Sequence, residues 1–159
     1  MTLNAYRARS LAFPWPPIVY ASALLTAILF QRQVPLDVAR DTALAAWFTG
    51  SALIVVAVCL DLWAMRTLVD KHTAILPNRC SSYLVTCGPY RYTRNPIYLG
   101  YVLVMAGFGL ITLNPWFFVL AIGLVVWMTG IAVRHEEQHL LARFGFEFER
   151  YARRTSRWI

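Results

Sequence analysis

Charge is scarce in this chain, and acid is scarcer still. Only 14% of the 159 residues are Asp, Glu, Lys or Arg, and just eight of them are acidic. A soluble domain carries about a quarter charged residues, so a water-exposed surface is excluded for most of the sequence. The gaps are contiguous: Ser10–Gln31, Thr42–Leu60 and the 39 residues from Asn95 to Val133 hold no charge at all. Histidine is also rare, at three. The three cysteines, Cys59, Cys80 and Cys87, form no C-x-x-C pair, and their odd number argues for free thiols rather than a disulfide framework. Cys59 falls in the lipid-embedded core, and Cys80 and Cys87 in loop packing. No repeat and no low-complexity linker divides the chain, so residues 1–159 are read as one domain.

What is present is hydrophobic, 58% of the chain. A spanning helix needs about 20 mostly apolar residues. The expected fold is an all-α integral membrane protein with four transmembrane helices, at about Pro17–Phe30, Ala43–Met65, Pro96–Leu113 and Trp116–Val133. Asn114-Pro115 is the turn between the last two. The first apolar run has an n-region-like Arg7 and Arg9, but Pro14, Pro16 and Pro17 interrupt it and it continues through Phe30. It is read as a retained helix rather than a cleaved signal. The Pro-rich entry "FPWPP", with Trp15, suits an interfacial anchor.

Thirteen of the fifteen basic residues fall before the first span, between the second and third, or after the fourth; only Arg32 and Arg40 lie on the other side. The positive-inside rule places the majority side, with both termini, in the cytoplasm. The net charge of +7 then reflects topology and contact with anionic headgroups. It does not point to nucleic acid, because the arginines form no separate soluble module. The compactness of the chain suits a multi-pass protein of a bacterial inner membrane.

The polar chemistry is confined to a loop, Arg66–Arg94, and a tail, Arg134–Ile159. In the loop, "SSYLVT" reads as extended chain ended by a turn at Cys87-Gly88-Pro89. The tail reads as a basic amphipathic helix continuing from the fourth span and lying on the interface, with Gly145 dividing it. Leu140, Leu141, Phe144, Phe148 and Tyr151 form its apolar face, and Glu147→Arg150 and Glu149→Arg153 pair on the other. Within the tail, His135-Glu136-Glu137-Gln138-His139 satisfies the H-E-x-x-H zinc-protease pattern, yet nothing in the spacing supplies a third ligand. At the entry to the third span, Asn95 is placed to cap the helix and Pro96 to occupy its first turn. Tyr92 and Tyr101 read as part of an aromatic belt. Tyr90, Arg94, Asn95 and Tyr98 remain as candidates for chemistry. Asp61, about one turn inside the second span, is costly unless paired, with Arg66 or another loop arginine as its expected partner.

The stretch "GPYRYTRNPIYLG", Gly88 to Gly100, resembles the signature of the isoprenylcysteine carboxyl methyltransferase and phospholipid methyltransferase superfamily, G-x-Y-R-Y-x-R-[HN]-P-x-Y-x-G. The tail resembles its second signature, E-E-x-x-L-x-x-x-F-G-x-x-[YF]-x-x-Y, from Glu136 to Tyr151. The motifs, within 84–100 and 134–151, stand in the right order with a helical hairpin between them. The resemblance makes the histidines of the zinc pattern incidental and the paired glutamates the feature of interest. It implies S-adenosylmethionine as cofactor and a hydrophobic or prenylated acceptor, isoprenylcysteine carboxylate or a related group, met at the cytoplasmic face of the bilayer. Cofactor binding is implied for Val85, Thr86, Gly88, Pro89, Tyr90, Arg94, Asn95, Tyr98, Glu136 and Glu137. Catalytic roles are implied for Arg94, Asn95 and Glu137, and no metal.

The sulfonium is a cation that carboxylates and tyrosine faces can hold. Arg94 can fork onto a carboxylate of cofactor or acceptor. One departure stands out: the relatives acting on prenylated cysteine usually carry His where this chain has Asn95, and Asn cannot serve as a general base. With so few spans, a lipid tunnel is built from four helices or shared with a second copy in a homo-oligomer. Three rival readings are an NADPH-dependent sterol-type reductase, a zinc protease and a non-catalytic membrane partner.

Overall fold

The computed structural model describes residues 15–36, 38, 40–71 and 83–159; the expectations for Arg7, Arg9, Pro14 and Cys80 lie outside them. The described chain is helical: α1 (Trp15–Gln33), α2 (Ala43–Asp70), α3 (Pro96–Thr112), α4 (Trp116–Trp127), α5 (Arg134–Phe144) and α6 (Phe146–Arg154). A π-helical turn, Met128–Val133, joins α4 to α5 without a break, so a single helix runs from Trp116 to Phe144. Among the described residues, α2 and this long helix are the two that are long and apolar enough to cross a membrane; α3 is apolar but shorter. The four-span expectation is therefore met by two helices on length and composition alone. α1 is 19 residues long and has Arg32 in its last turn.

Helix α3 packs against both α2 and α4, and α1 packs on α4. The α2–α3 contact is the closest, because glycines face each other there. A Cβ on Gly50 would stand 2.6 Å from the Gly107 carbonyl oxygen, and one on Gly107 would stand 2.8 Å from the Gly50 carbonyl oxygen. Small residues let backbones approach where no hydrophobic force drives helices together. On the other side of α3, Met105, Phe117, Ala121, Leu124, Met128, Ala132 and Val133 form a buried core with Ala27 of α1 and Tyr98. The outward residues of α2 and α4, among them Trp47, Val55, Leu62, Ile122 and Val126, are apolar and exposed. Cys59 belongs to that outer face rather than to the core, and Cys87 is also exposed rather than packed in the loop.

The α3–α4 turn passes through Leu113 in the left-handed region, φ 50°. Buried Asn114 fixes the turn twice. Its side-chain oxygen accepts from the Trp116 backbone N–H at 3.0 Å, and its Nδ2 donates to the Ala27 carbonyl of α1 at 3.0 Å. Asn114→Ala strands both groups and is expected to cost about 2 kcal/mol, read as a lowered midpoint of thermal unfolding in detergent.

Candidate active site

The loop before α3 is built around Gly88, whose φ of +61° disfavours any L side chain. A Cβ there would meet Thr67 and Trp63, so the turn lies flat on the end of α2. Leu84–Thr86, with no regular secondary structure, precede it; Cys87 is extended, and a 3₁₀ turn, Gly88–Arg91, follows. The backbone N–H groups of Tyr92 and Thr93 close that turn by donating to the Pro89 carbonyl.

Gly145, φ +52°, breaks the tail between α5 and α6 and sends the chain back to this loop. The Tyr151 hydroxyl donates to the Tyr90 carbonyl at 2.7 Å. Thr93 and Ser156 form a parallel bridge, and the Arg94 N–H donates to the Ser156 carbonyl at 3.0 Å. Asn95 Nδ2 donates to the Arg157 carbonyl at 2.8 Å. Asn95 does sit at the helix cap position, but its side chain makes no capping bond; the strap Thr155–Trp158 takes it instead. The Trp158 indole N–H finally ties the strap to Thr129 at 3.1 Å.

This closure brings the two sequence motifs face to face. Arg94 Nη1 lies 2.7 Å from Glu137 Oε1. Arg157 grips the same carboxylate through a fork, Nε to Oε1 at 3.0 Å and Nη2 to Oε2 at 2.7 Å. Glu137 is thus already matched by two cations, and Arg94, expected to hold an anion of the ligand, holds Glu137. One turn of α3 onward, the Tyr98 hydroxyl donates to Glu136 Oε2 at 3.3 Å. No cation sits on Glu136 among the described residues, since both ion pairs there belong to Glu137. Burial, and then the Glu136 charge, pushes the Tyr90 hydroxyl up from its ordinary value. Burial raises Tyr151 against the opposing pull of Arg94, so both phenols stay neutral donors. The bond to Glu137 holds Arg157 yet more firmly protonated.

Of the sequence candidates, Arg94 and Glu137 meet directly, as do Tyr98 and Glu136. Val85 and Pro89 are buried in the loop, Gly88 and Tyr90 are partly covered, and Thr86 is exposed. Sequence reasoning misses Arg157, which lies beyond the last helix in a segment with no periodicity to read. Other expectations change. Asp61 pairs with no arginine among the described residues: its Oδ1 is buried without a hydrogen-bond partner, and its carboxylate rests on Gly100. Tyr101 is no belt residue facing outward but stacks on Tyr20 of α1 at 4.6 Å, whereas Tyr92 is exposed. The tail pairs Glu147→Arg150 and Glu149→Arg153 are not among the ion pairs of the described residues; Arg150 lies over the Phe146 ring at 5.0 Å. Around the H-E-x-x-H stretch, no three His, Cys, Asp or Glu side chains among the described residues are grouped to hold a metal.

The ion-paired cluster is thus strapped over the end of apolar helices, with loop and tail closed on each other. The family model for phospholipid methyltransferases matches residues 45–147, well over half of the chain. The chain belongs to that family, and with it to the wider isoprenylcysteine and phospholipid methyltransferase superfamily, and it is a membrane methyltransferase. The match gives no support to the reductase, protease or non-catalytic readings. No curated protein and no solved structure matches the chain. The strap with Arg157 lies outside the matched segment.

Proposed function

We propose that the protein transfers a methyl group from S-adenosylmethionine to a hydrophobic or lipid-like acceptor at the cytoplasmic face of a bacterial inner membrane, with four helices embedded. The observation that carries this reading is the contrast between the two glutamates. Glu137 is neutralised by Arg94 and Arg157, while its neighbour Glu136 has a tyrosine hydroxyl on one oxygen and no cation among the described residues. A cationic ligand is what such a carboxylate lacks, and a sulfonium beside Glu136 and the Tyr98 ring satisfies it. The residues present fit the cofactor.

When bound, S-adenosylmethionine supplies a methyl group activated by the positive charge on its sulfur. The chain's own residues do the rest. Glu136 attracts and orients the cation, with Tyr98 fixing its carboxylate. The ion-paired Glu137–Arg94–Arg157 triad holds loop and tail at fixed separation. Val85, Thr86 and the Gly88–Tyr90 turn offer main-chain groups to the adenine, and Asn95, committed to Arg157, anchors the strap that excludes water. Direct displacement needs alignment more than covalent help, and alignment in a dry site is what this frame provides.

Calorimetric titration of the detergent-solubilised protein tests the reading. Saturable binding of S-adenosylmethionine is expected, weakened by at least about tenfold, or 1.4 kcal/mol, in Glu136→Gln. Binding of NADPH in its place, or none of S-adenosylmethionine to a folded sample, would overturn it.

A further inference from the structure

Arg157 reaches the site from the strap after α6, beyond the segment that the family model matches. The main chain of that strap is held without the Arg157 side chain. The Arg157 carbonyl accepts from Asn95 Nδ2 at 2.8 Å and from Thr93 Oγ1 at 3.3 Å, and the Ser156 carbonyl accepts from the Arg94 N–H at 3.0 Å. The Trp158 ring packs against the buried core, and its indole N–H donates to Thr129 at 3.1 Å. With these ties in place, the guanidinium is not needed to seat the strap, and what it adds is charge. One arginine suffices to neutralise Glu137, and Arg94 does so at 2.7 Å. Arg157 brings a second cation to the same carboxylate, through a fork at 3.0 and 2.7 Å. The cluster Arg94–Glu137–Arg157 is therefore a net cation beside Glu136, which has no cation of its own among the described residues. The two glutamates and the two arginines together are neutral.

Charge is also what separates the cofactor from its spent form. In the transfer, the acceptor's nucleophilic atom supplies the electron pair of the new bond to the methyl carbon. The pair of the broken C–S bond stays on sulfur, which becomes neutral, while the adenosine, amino and carboxylate groups are unchanged. A site with surplus negative charge would grip the sulfonium hardest before transfer and lose that grip as the charge leaves sulfur. Attraction of that kind stabilises the ground state more than the transition state and slows the step. Resting on the methyl-transfer reading above, we infer that Arg157 is a positioning residue acting through Glu137: its second guanidinium withholds that carboxylate from the sulfonium, leaves Glu136 as the single seat for the cation, and limits the preference for S-adenosylmethionine over S-adenosylhomocysteine. The planar fork suits this role, because it occupies both oxygens of Glu137 at once.

Calorimetric titration of the full chain in detergent with the two ligands tests this without any acceptor. Arg157→Gln is expected to tighten S-adenosylmethionine by about fivefold, the scale of one unbalanced charge near a partly hydrated site. The same variant should leave S-adenosylhomocysteine within about twofold of wild type. Arg157→Lys keeps the charge and should hold the ratio of the two affinities at its native value. Glu137→Gln combined with Arg157→Gln removes one charge of each sign and should restore that ratio. Limited proteolysis should find the strap of Arg157→Gln as protected as in the wild type, since its main-chain bonds remain. A purely structural tie, or a bond from Arg157 to the carboxylate that both ligands share, would weaken the two alike and leave the ratio unchanged; that result would overturn the proposal. So would a ratio that moves towards S-adenosylhomocysteine, a Lys variant that behaves as Gln, a double variant that keeps the shift, or an unprotected strap. Failure of the wild type to bind S-adenosylmethionine would instead overturn the methyl-transfer reading beneath it.

Discussion

Glu137→Ala is expected to abolish cofactor binding and to loosen the tail in the same step. In the native protein its two oxygens answer three guanidinium contacts at 2.7, 3.0 and 2.7 Å. The Arg94 and Glu137 side chains are only 15% and 17% exposed, so removing the carboxylate strands Arg94 in a poorly hydrated place. Breaking a buried pair costs about 3 kcal/mol or more. Arg157 is 36% exposed and regains water, so its own share is about 1 kcal/mol or less. The consequence for binding is larger than for folding, because Arg94 and Arg157, no longer neutralised, leave two uncompensated cations in a site that is to receive a sulfonium. Calorimetry should show no saturable S-adenosylmethionine binding, and limited proteolysis should show faster loss of the residues after Arg154. A Glu137→Ala variant with native affinity would remove the triad from the site.

Much of this arrangement is legible in the sequence, for reasons that can be stated residue by residue. The start of α2 at Ala43, the start of α3 at Pro96, the continuous helix from Trp116 into the tail, and its break at Gly145 all follow from uncharged runs and from the backbone preferences of Pro and Gly. No spacing in the sequence announces the meeting of Arg94 with Glu137; the family resemblance singles out both motifs, and only folding puts the two side chains 2.7 Å apart. The Arg157 contacts have no sequence signal, since the bonds that place it join positions some sixty residues apart. Asp61 misleads for a physical reason. The nearest arginine in sequence, Arg66, is five residues on, about 140° around a helix of 3.6 residues per turn, so the two point apart. Asn95 misleads because an N-cap position does not by itself fix the side chain's partner, and here the strap offers a carbonyl at 2.8 Å.

Gly107→Leu is expected to be the most damaging single change outside the charged site. Helices α2 and α3 meet backbone to backbone at Gly50 and Gly107, and even a Cβ on Gly107 would stand 2.5 Å from Ile54 Cγ1 and 2.8 Å from a carbonyl oxygen. The first neighbour can shift, but a carbonyl within a helix cannot, so the helices must separate. Overpacking of a well-packed contact costs about 1–3 kcal/mol, and here the rigid backbone puts the cost at the upper end. In a bilayer the loss is not recovered by burying apolar surface elsewhere, because lipid tails are as apolar as the leucine. The site feels it at once: α2 carries the Thr67–Trp63 floor under Gly88, while α3 carries Tyr98. Both a lowered unfolding midpoint in detergent and a loss of S-adenosylmethionine affinity are therefore expected. Gly123→Leu is the matched control, since a Cβ there has nothing within 4 Å; it should leave both measurements within about 0.5 kcal/mol of wild type. Equal damage from the two leucines would show that hydrophobic bulk, not the close crossing of α2 and α3, is what the membrane helices fail to accommodate.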